Sequence, residues 1–161
     1  METLTASANP ALLHIKSILV PLDFSPASTG ALECAQQLAQ EPDASVTLLH
    51  VMETAIPPAL AEVPAAASFS RGDFAKAEKA LRALAASADL RPPRIKWIIR
   101  NGAAVEEIVD AAKELDVDLI VIATHGYTGW KHFCIGSTAE RVVRVAPCPV
   151  LVVREKEHKF I

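Results

Sequence analysis

The stretch DLIVIATHGYTGWKHFCIGS, Asp118 to Ser137, decides how this chain folds. Leu119–Ile122 is a short, wholly apolar run, which predicts a buried strand. The run passes into Ala123–Ser137, which holds Gly126, Gly129 and Gly136, three of the six glycines in the chain. At Gly136-Ser137 a helical pattern begins. A strand that enters a glycine-bearing loop and then a helix N-terminus forms a cradle for an anion. Glycine lets backbone N–H groups approach a ligand closely. The unpaired N–H groups and the positive end of the helix dipole favour phosphate. The chemistry this implies is nucleotide binding.

Outward from that stretch, apolar segments alternate between strand and helix periodicity. Ile15–Val20 predicts the first strand. Pro21–Ser25 leads into a helix, with Ser25 as its cap and Pro26 in its first turn. Ala27, Ala31, Cys34, Ala35 and Leu38 give that helix a narrow buried face of small residues. Val46–Val51 predicts the second strand. Residues 53–72, rich in proline and alanine, lack periodicity and predict a mobile loop or irregular lid. A second helix is expected around Phe74, Ala77, Leu81 and Leu84, and a third strand over Ile95–Ile99. Val105, Ile108, Val109, Ala112 and Leu115 mark a third helix. Thr138–Val145 is the fourth, stopped by Pro147 and Pro149, and Val150–Val153 is the fifth strand. Ser137-Thr138-Ala139-Glu140 matches a capping box with Ser137 as cap and Glu140 reaching back.

This alternation predicts a single α/β domain over residues 15–154. A leader at 1–14 and a charged tail at 155–161 flank it. The expected architecture is a five-stranded parallel sheet of order 3-2-1-4-5 with helices on both faces. In such a sheet ligands sit where the strand order reverses, beyond the carboxyl ends of the strands. That point brings Pro21–Ser25 and Ala123–Ser137 side by side. Asp23 is placed there either to bind ribose hydroxyls or merely to form a turn with its own backbone.

The 161 residues are 51% apolar and 22% charged with a formal net charge of -3, which fits one globular domain. No basic patch argues for nucleic acid. No run approaches the roughly 18 apolar residues of a membrane span, and the N-terminus does not read as a signal peptide, so the expected compartment is the cytoplasm. The odd set Cys34, Cys134 and Cys148 has no C-x-x-C spacing and reads as free thiols. His50 reads as packed or hydrogen-bonded, and His125 carries no catalytic assignment. Lys131 and His132 either approach phosphates or face solvent. There is no P-loop signature and no dinucleotide fingerprint. No acid pair, metal cluster or activated nucleophile points to an enzyme.

The pieces ILVPLDFS, LLHV, DAAKELDVDLIVIATHG and GSTAERVVRVAPCPVLVV together resemble the universal stress protein family across about residues 15–154. The resemblance implies a Rossmann-like fold of the adenine nucleotide alpha hydrolase type. Some members bind ATP through G-x-x-G-x9-G-[ST]. The positions here are Ala123, Gly126, Gly136 and Ser137, so alanine replaces the first glycine. Its methyl is tolerated at negative φ, or else it crowds the nucleotide. By resemblance, Pro21, Leu22 and Asp23 line the adenosine site and Val51 packs on adenine. Ile122 and Ala123 flank the ribose and phosphates. Thr124, His125 and Gly126 begin the phosphate loop, and Gly136, Ser137, Thr138 and Ala139 hold phosphates. Mg²⁺ is bound mainly through phosphate oxygens. The implied role is an ATP-binding stress regulator or sensor with an unidentified protein partner, dimeric through Val150–Val153. The alternatives are a dimeric interaction module without nucleotide, and a slow ATPase.

Overall fold

The computed structural model describes residues 14–39, 41–53, 69–88, 94–124 and 136–154. The leader up to residue 13, residues 54–68 of the 53–72 loop, the tail and Cys134 lie outside the described residues. The elements run β1 (Ser17–Pro21), α1 (Pro26–Leu38), β2 (Ser45–Met52), α2 (Arg71–Ser87), β3 (Ile95–Asn101), α3 (Ala104–Glu114), β4 (Leu119–Ala123), α4 (Ser137–Val145) and β5 (Val150–Val153). The strands form one parallel sheet in the order β3-β2-β1-β4-β5, the order the alternation predicts.

Each strand of the sheet's centre is apolar on both faces because helices cover both. Ile18, Val20, Val46, Leu48 and Val121 face α1 and α2, together with Ala31, Ala35 and Leu81. Leu19, Leu49, Ile120 and Ile122 face α3 and α4, meeting Ile108, Ala112 and Val142. The alanines of α1 let that helix lie close to the sheet, so the strand side chains supply most of the volume on that side. At the amino ends of the strands, Asp118 Oδ2 accepts the Lys16 and Ser17 N–H groups at 2.9 Å each and ties β4 to β1.

Ser25 caps α1 as expected: its Oγ accepts the Ser28 N–H at 3.2 Å, and Pro26 opens the helix. Two helix starts differ from the sequence reading. α2 begins at Arg71, inside the segment read as loop, because Ser70 and Asp73 form a reciprocal capping box. α4 is not capped by Ser137. Gly136 is the last non-helical residue, and its C=O already accepts the Glu140 N–H at 3.0 Å. Glu140 therefore sits one residue too far along to reach back. Its carboxylate pairs instead with Arg144 at 2.6 Å, four residues on.

Candidate functional site

At the carboxyl ends of β2, β1 and β4 the chain leaves the sheet in different directions and opens a cleft of about 280 Å³. That volume is near the lower end for small-molecule sites, roughly 300–1,000 Å³. A groove of about 350 Å³ between α3 and α4 is larger but is built from helix residues alone. Part of its charged rim is paired along the helices, Lys113 with Asp110 and Arg144 with Glu140. The cleft at the switch point is the one that gathers backbone donors, carboxylates and an apolar wall.

From β1 and its loop the cleft takes Pro21, Leu22 and Asp23. Leu22 N–H extends the ladder to Leu49 C=O at 2.8 Å. Asp23 serves as the turn former anticipated for it: its Oδ1 accepts the Ser25 N–H at 3.0 Å and the Ser25 Oγ–H at 2.6 Å. It also lines the cleft, so the two expectations for this residue are compatible. Phe24 follows with φ of 66°, an unusual left-handed conformation for a bulky side chain. Its ring lies 4.4 Å from that of His50, whose Nδ1 lies 2.8 Å from the Leu22 C=O. Because a carbonyl only accepts, Nδ1 carries the proton and donates.

β2 contributes Val51, the residue expected to pack against a base. β4 contributes Ile122, Ala123 and Thr124. Ala123 ends β4 opposite Val153, and Phe24 and Asp116 are the described non-glycine residues with positive φ. The alanine is thus in ordinary extended backbone, with its side chain in the core on the α1 face. Thr124 is buried; its N–H donates to Val153 C=O at 2.9 Å and its C=O accepts from Gly136 N–H at 2.6 Å. That second bond closes the two ends of the glycine segment on each other. His125 and Gly126 lie outside the described residues.

Gly136, Ser137, Thr138 and Ala139 bring the N-terminus of α4 to the cleft, and no side chain among the described residues caps it. The first-turn N–H groups of a helix have no intrahelical acceptor. Here they face the cleft together with the positive end of the dipole.

Ser28, Leu49, Glu53, Ala104 and Ile108 also line the cleft and were not expected there. The chain from β3 to β4 passes over β2 and β1, so α3 crosses the switch point and delivers Ala104 and Ile108. Glu53 Oε1 accepts the Ala104 N–H at 2.7 Å, capping α3 from the end of β2. The strand order alone carried this signal, since a β3-to-β4 crossover has to cover β1. Among the described residues no group of three or more His, Cys, Asp or Glu is arranged to hold a metal. No helix among them is long and apolar enough to cross a membrane.

Residues 14–154 match the model of the universal stress protein family. A universal stress protein of Methanocaldococcus jannaschii is 34% identical over 143 residues, 87% of this chain and 82% of that protein. The solved structure of UspA from Lactobacillus plantarum shares 32% identity at a TM-score of 0.69, covering 88% of this chain and 99% of that one. A universal stress protein of Archaeoglobus fulgidus, solved in complex with dAMP, shares the fold at 19% identity and a TM-score of 0.62, covering 88% and 98%. With its sheet order, its switch-point cleft and a family match that spans every described residue, the chain belongs to the universal stress protein family.

Proposed function

We propose that the cleft binds an adenine nucleotide, ATP with Mg²⁺ in the first instance, and that the protein is a stress-response regulator rather than an enzyme. The observation that carries this reading is the first turn of α4, which no side chain among the described residues caps and which opens into the cleft. Phosphate suits those donors. The rest of a nucleotide then has a direction. Adjacent strands lie about 4.8 Å apart, so β2 is roughly 10 Å from β4 across β1. A nucleoside extending from α4 passes Asp23, which suits ribose hydroxyls, and reaches Val51.

Val51 suits adenine for a backbone reason. Leu49 bonds toward β1, whereas Val46 and Met52 bond toward β3. By alternation Val51 N–H and C=O point toward β1, past the end of that strand. An adjacent donor and acceptor match the N1 acceptor and 6-amino donor of adenine. Ile122, Ile108 and Ala104 supply an apolar wall for the ring. The dAMP in the Archaeoglobus relative supports an adenine ligand at family level. Mg²⁺ would be held by phosphate oxygens and water, and it would offset the carboxylates of Asp23 and Glu53. The apolar β5, at the edge of the sheet with Leu151 exposed, suits pairing with a second copy. The cytoplasm is the proposed compartment.

Calorimetric titration with ATP and Mg²⁺ is expected to give saturable binding, weakened about tenfold when Mg²⁺ is chelated. Absence of heat, together with no nucleotide in the freshly purified protein, would sink the reading. The alanine at the first motif position is compatible with it. Ala123→Gly is expected to leave ATP affinity within about threefold while lowering stability by about 1 kcal/mol, since glycine in a strand costs entropy. A large gain in affinity would instead mark the Ala123 methyl as an obstacle and favour an interaction module without nucleotide.

A further inference from the structure

The end of β1 contains a substitution of one hydrogen bond for another. In a parallel ladder, Leu49 exchanges bonds with β1, and Leu22 N–H to Leu49 C=O at 2.8 Å is the last of these rungs. The following rung would join Val51 N–H to Leu22 C=O, and then Phe24 N–H to Val51 C=O. The chain does otherwise. Leu22 C=O receives the His50 Nδ1–H at 2.8 Å. Phe24, at φ of 66°, turns the backbone off the strand path and packs its ring against the same imidazole, 4.4 Å between centroids and tilted by 37°. A left-handed bulky residue is costly and persists only where its surroundings hold it. Here the surroundings are the imidazole and the Asp23–Ser25 hydrogen bonds on the following turn.

We infer that His50 is a positioning residue for the nucleotide base: its imidazole takes the carbonyl that Val51 N–H would otherwise bond, and with Phe24 it leaves the Val51 peptide edge facing the cleft. His50 itself does not line the cleft. It faces the α1 side of the sheet, as Leu48 and Val46 do, while Val51 faces the α3 side. The ligand addressed is a purine with an acceptor at N1. The inference rests on the adenine-nucleotide reading above.

The test combines a protein change with a ligand change. AMP and 1-deaza-AMP differ at N1, the atom that would accept from Val51 N–H. Wild-type protein is expected to bind AMP about tenfold more tightly than 1-deaza-AMP, the effect of one hydrogen bond made against one donor left unmet. In His50→Leu, Leu22 C=O loses its side-chain partner, β1 pairs one rung further, and the preference is expected to fall to within about twofold. In His50→Asn, whose side-chain N–H group sits close to where Nδ1–H does, the preference should stay within about threefold of wild type. A role in folding alone would lower the melting temperature without changing the ratio between the two ligands. Retention of the full preference by His50→Leu overturns the inference and leaves nucleotide binding standing. A wild-type protein that binds AMP without preferring it over 1-deaza-AMP also overturns it. A wild-type protein that binds neither ligand overturns the adenine reading and the inference with it. If His50→Leu does not fold, Phe24→Val carries the test, because a β-branched residue resists the left-handed backbone and also removes the ring against His50. The preference should then fall at least about threefold, and an unchanged preference overturns the inference.

Discussion

Ser137→Glu is expected to lower the affinity for Mg-ATP by about a hundredfold or more while leaving the fold intact. Ser137 is the first helical residue of α4 and lines the cleft. A carboxylate there competes for the first-turn N–H groups that the phosphates would use, and it repels phosphate at short range. At about 4 Å, one pair of like charges costs roughly 1–4 kcal/mol between the limits of water and a protein surface. A polyphosphate meets that repulsion more than once. The helix itself gains, because a negative side chain in the first turn is favourable by about 0.3–1 kcal/mol. Binding and stability thus move in opposite directions, which separates this change from simple unfolding. Ser137→Ala provides the contrast: the backbone donors remain, and the loss should be about tenfold or less. Calorimetry with Mg-ATP and a thermal melt on each variant check both statements. If Ser137→Glu binds Mg-ATP within about threefold of wild type, the phosphates are not at α4.

The second large effect is on stability. Leu48→Ala is expected to destabilise the protein by about 3 kcal/mol, within the 2–5 kcal/mol usual for such truncations. Leu48 is fully buried in β2, between Val20 on one side and Trp97 on the other in the strand register. The helix packed on β2 from this face is α2, which buries Leu81 between the alanines Ala77 and Ala85. Alanines have no side-chain reach with which to fill a void, so the cavity persists and the cost lies above the simple transfer term. For a chain of this size about 3 kcal/mol lowers the melting temperature by roughly 6–12 °C. Denaturant and thermal melts measure it, and a loss under about 1 kcal/mol would mean that the layer collapses onto the gap.

Much of the fold was legible because strands and helices of a doubly wound sheet announce themselves by apolar period. Leu119–Ile122 is apolar throughout since both its faces are covered. Val105, Ile108, Val109 and Ala112 recur at helical spacing since α3 buries one stripe. Ser25-Pro26 fixed the start of α1 because a cap and an N1 proline act within one turn. The loops of the site followed from topology, which places Pro21–Asp23 beside Gly136–Ala139.

What escaped the sequence depended on partners distant along the chain or on a one-residue choice between equivalent local patterns. Ser137-Thr138-Ala139-Glu140 and Ser70-Arg71-Gly72-Asp73 are both plausible capping boxes; only the second is made. At α4 the Thr124–Gly136 hydrogen bond fixes Gly136 as the last non-helical residue and shifts the frame by one. Glu53 reaches Ala104 across 51 positions of sequence, a contact no local pattern contains. His50 read correctly as a hydrogen-bonded residue, yet its partner, Leu22 C=O, is 28 positions away.

By itself, then, the sequence determined the alternating elements, the order of the sheet and the family, because apolar periodicity and short motifs are properties of contiguous residues. Tertiary structure decided which donors face the cleft: the first turn of α4 does, with no cap from a side chain among the described residues, whereas the Ala104 N–H at the start of α3 is taken by Glu53. A backbone N–H becomes available to a ligand only when every neighbouring acceptor has been assigned elsewhere, and that assignment exists only once the strands and helices have met.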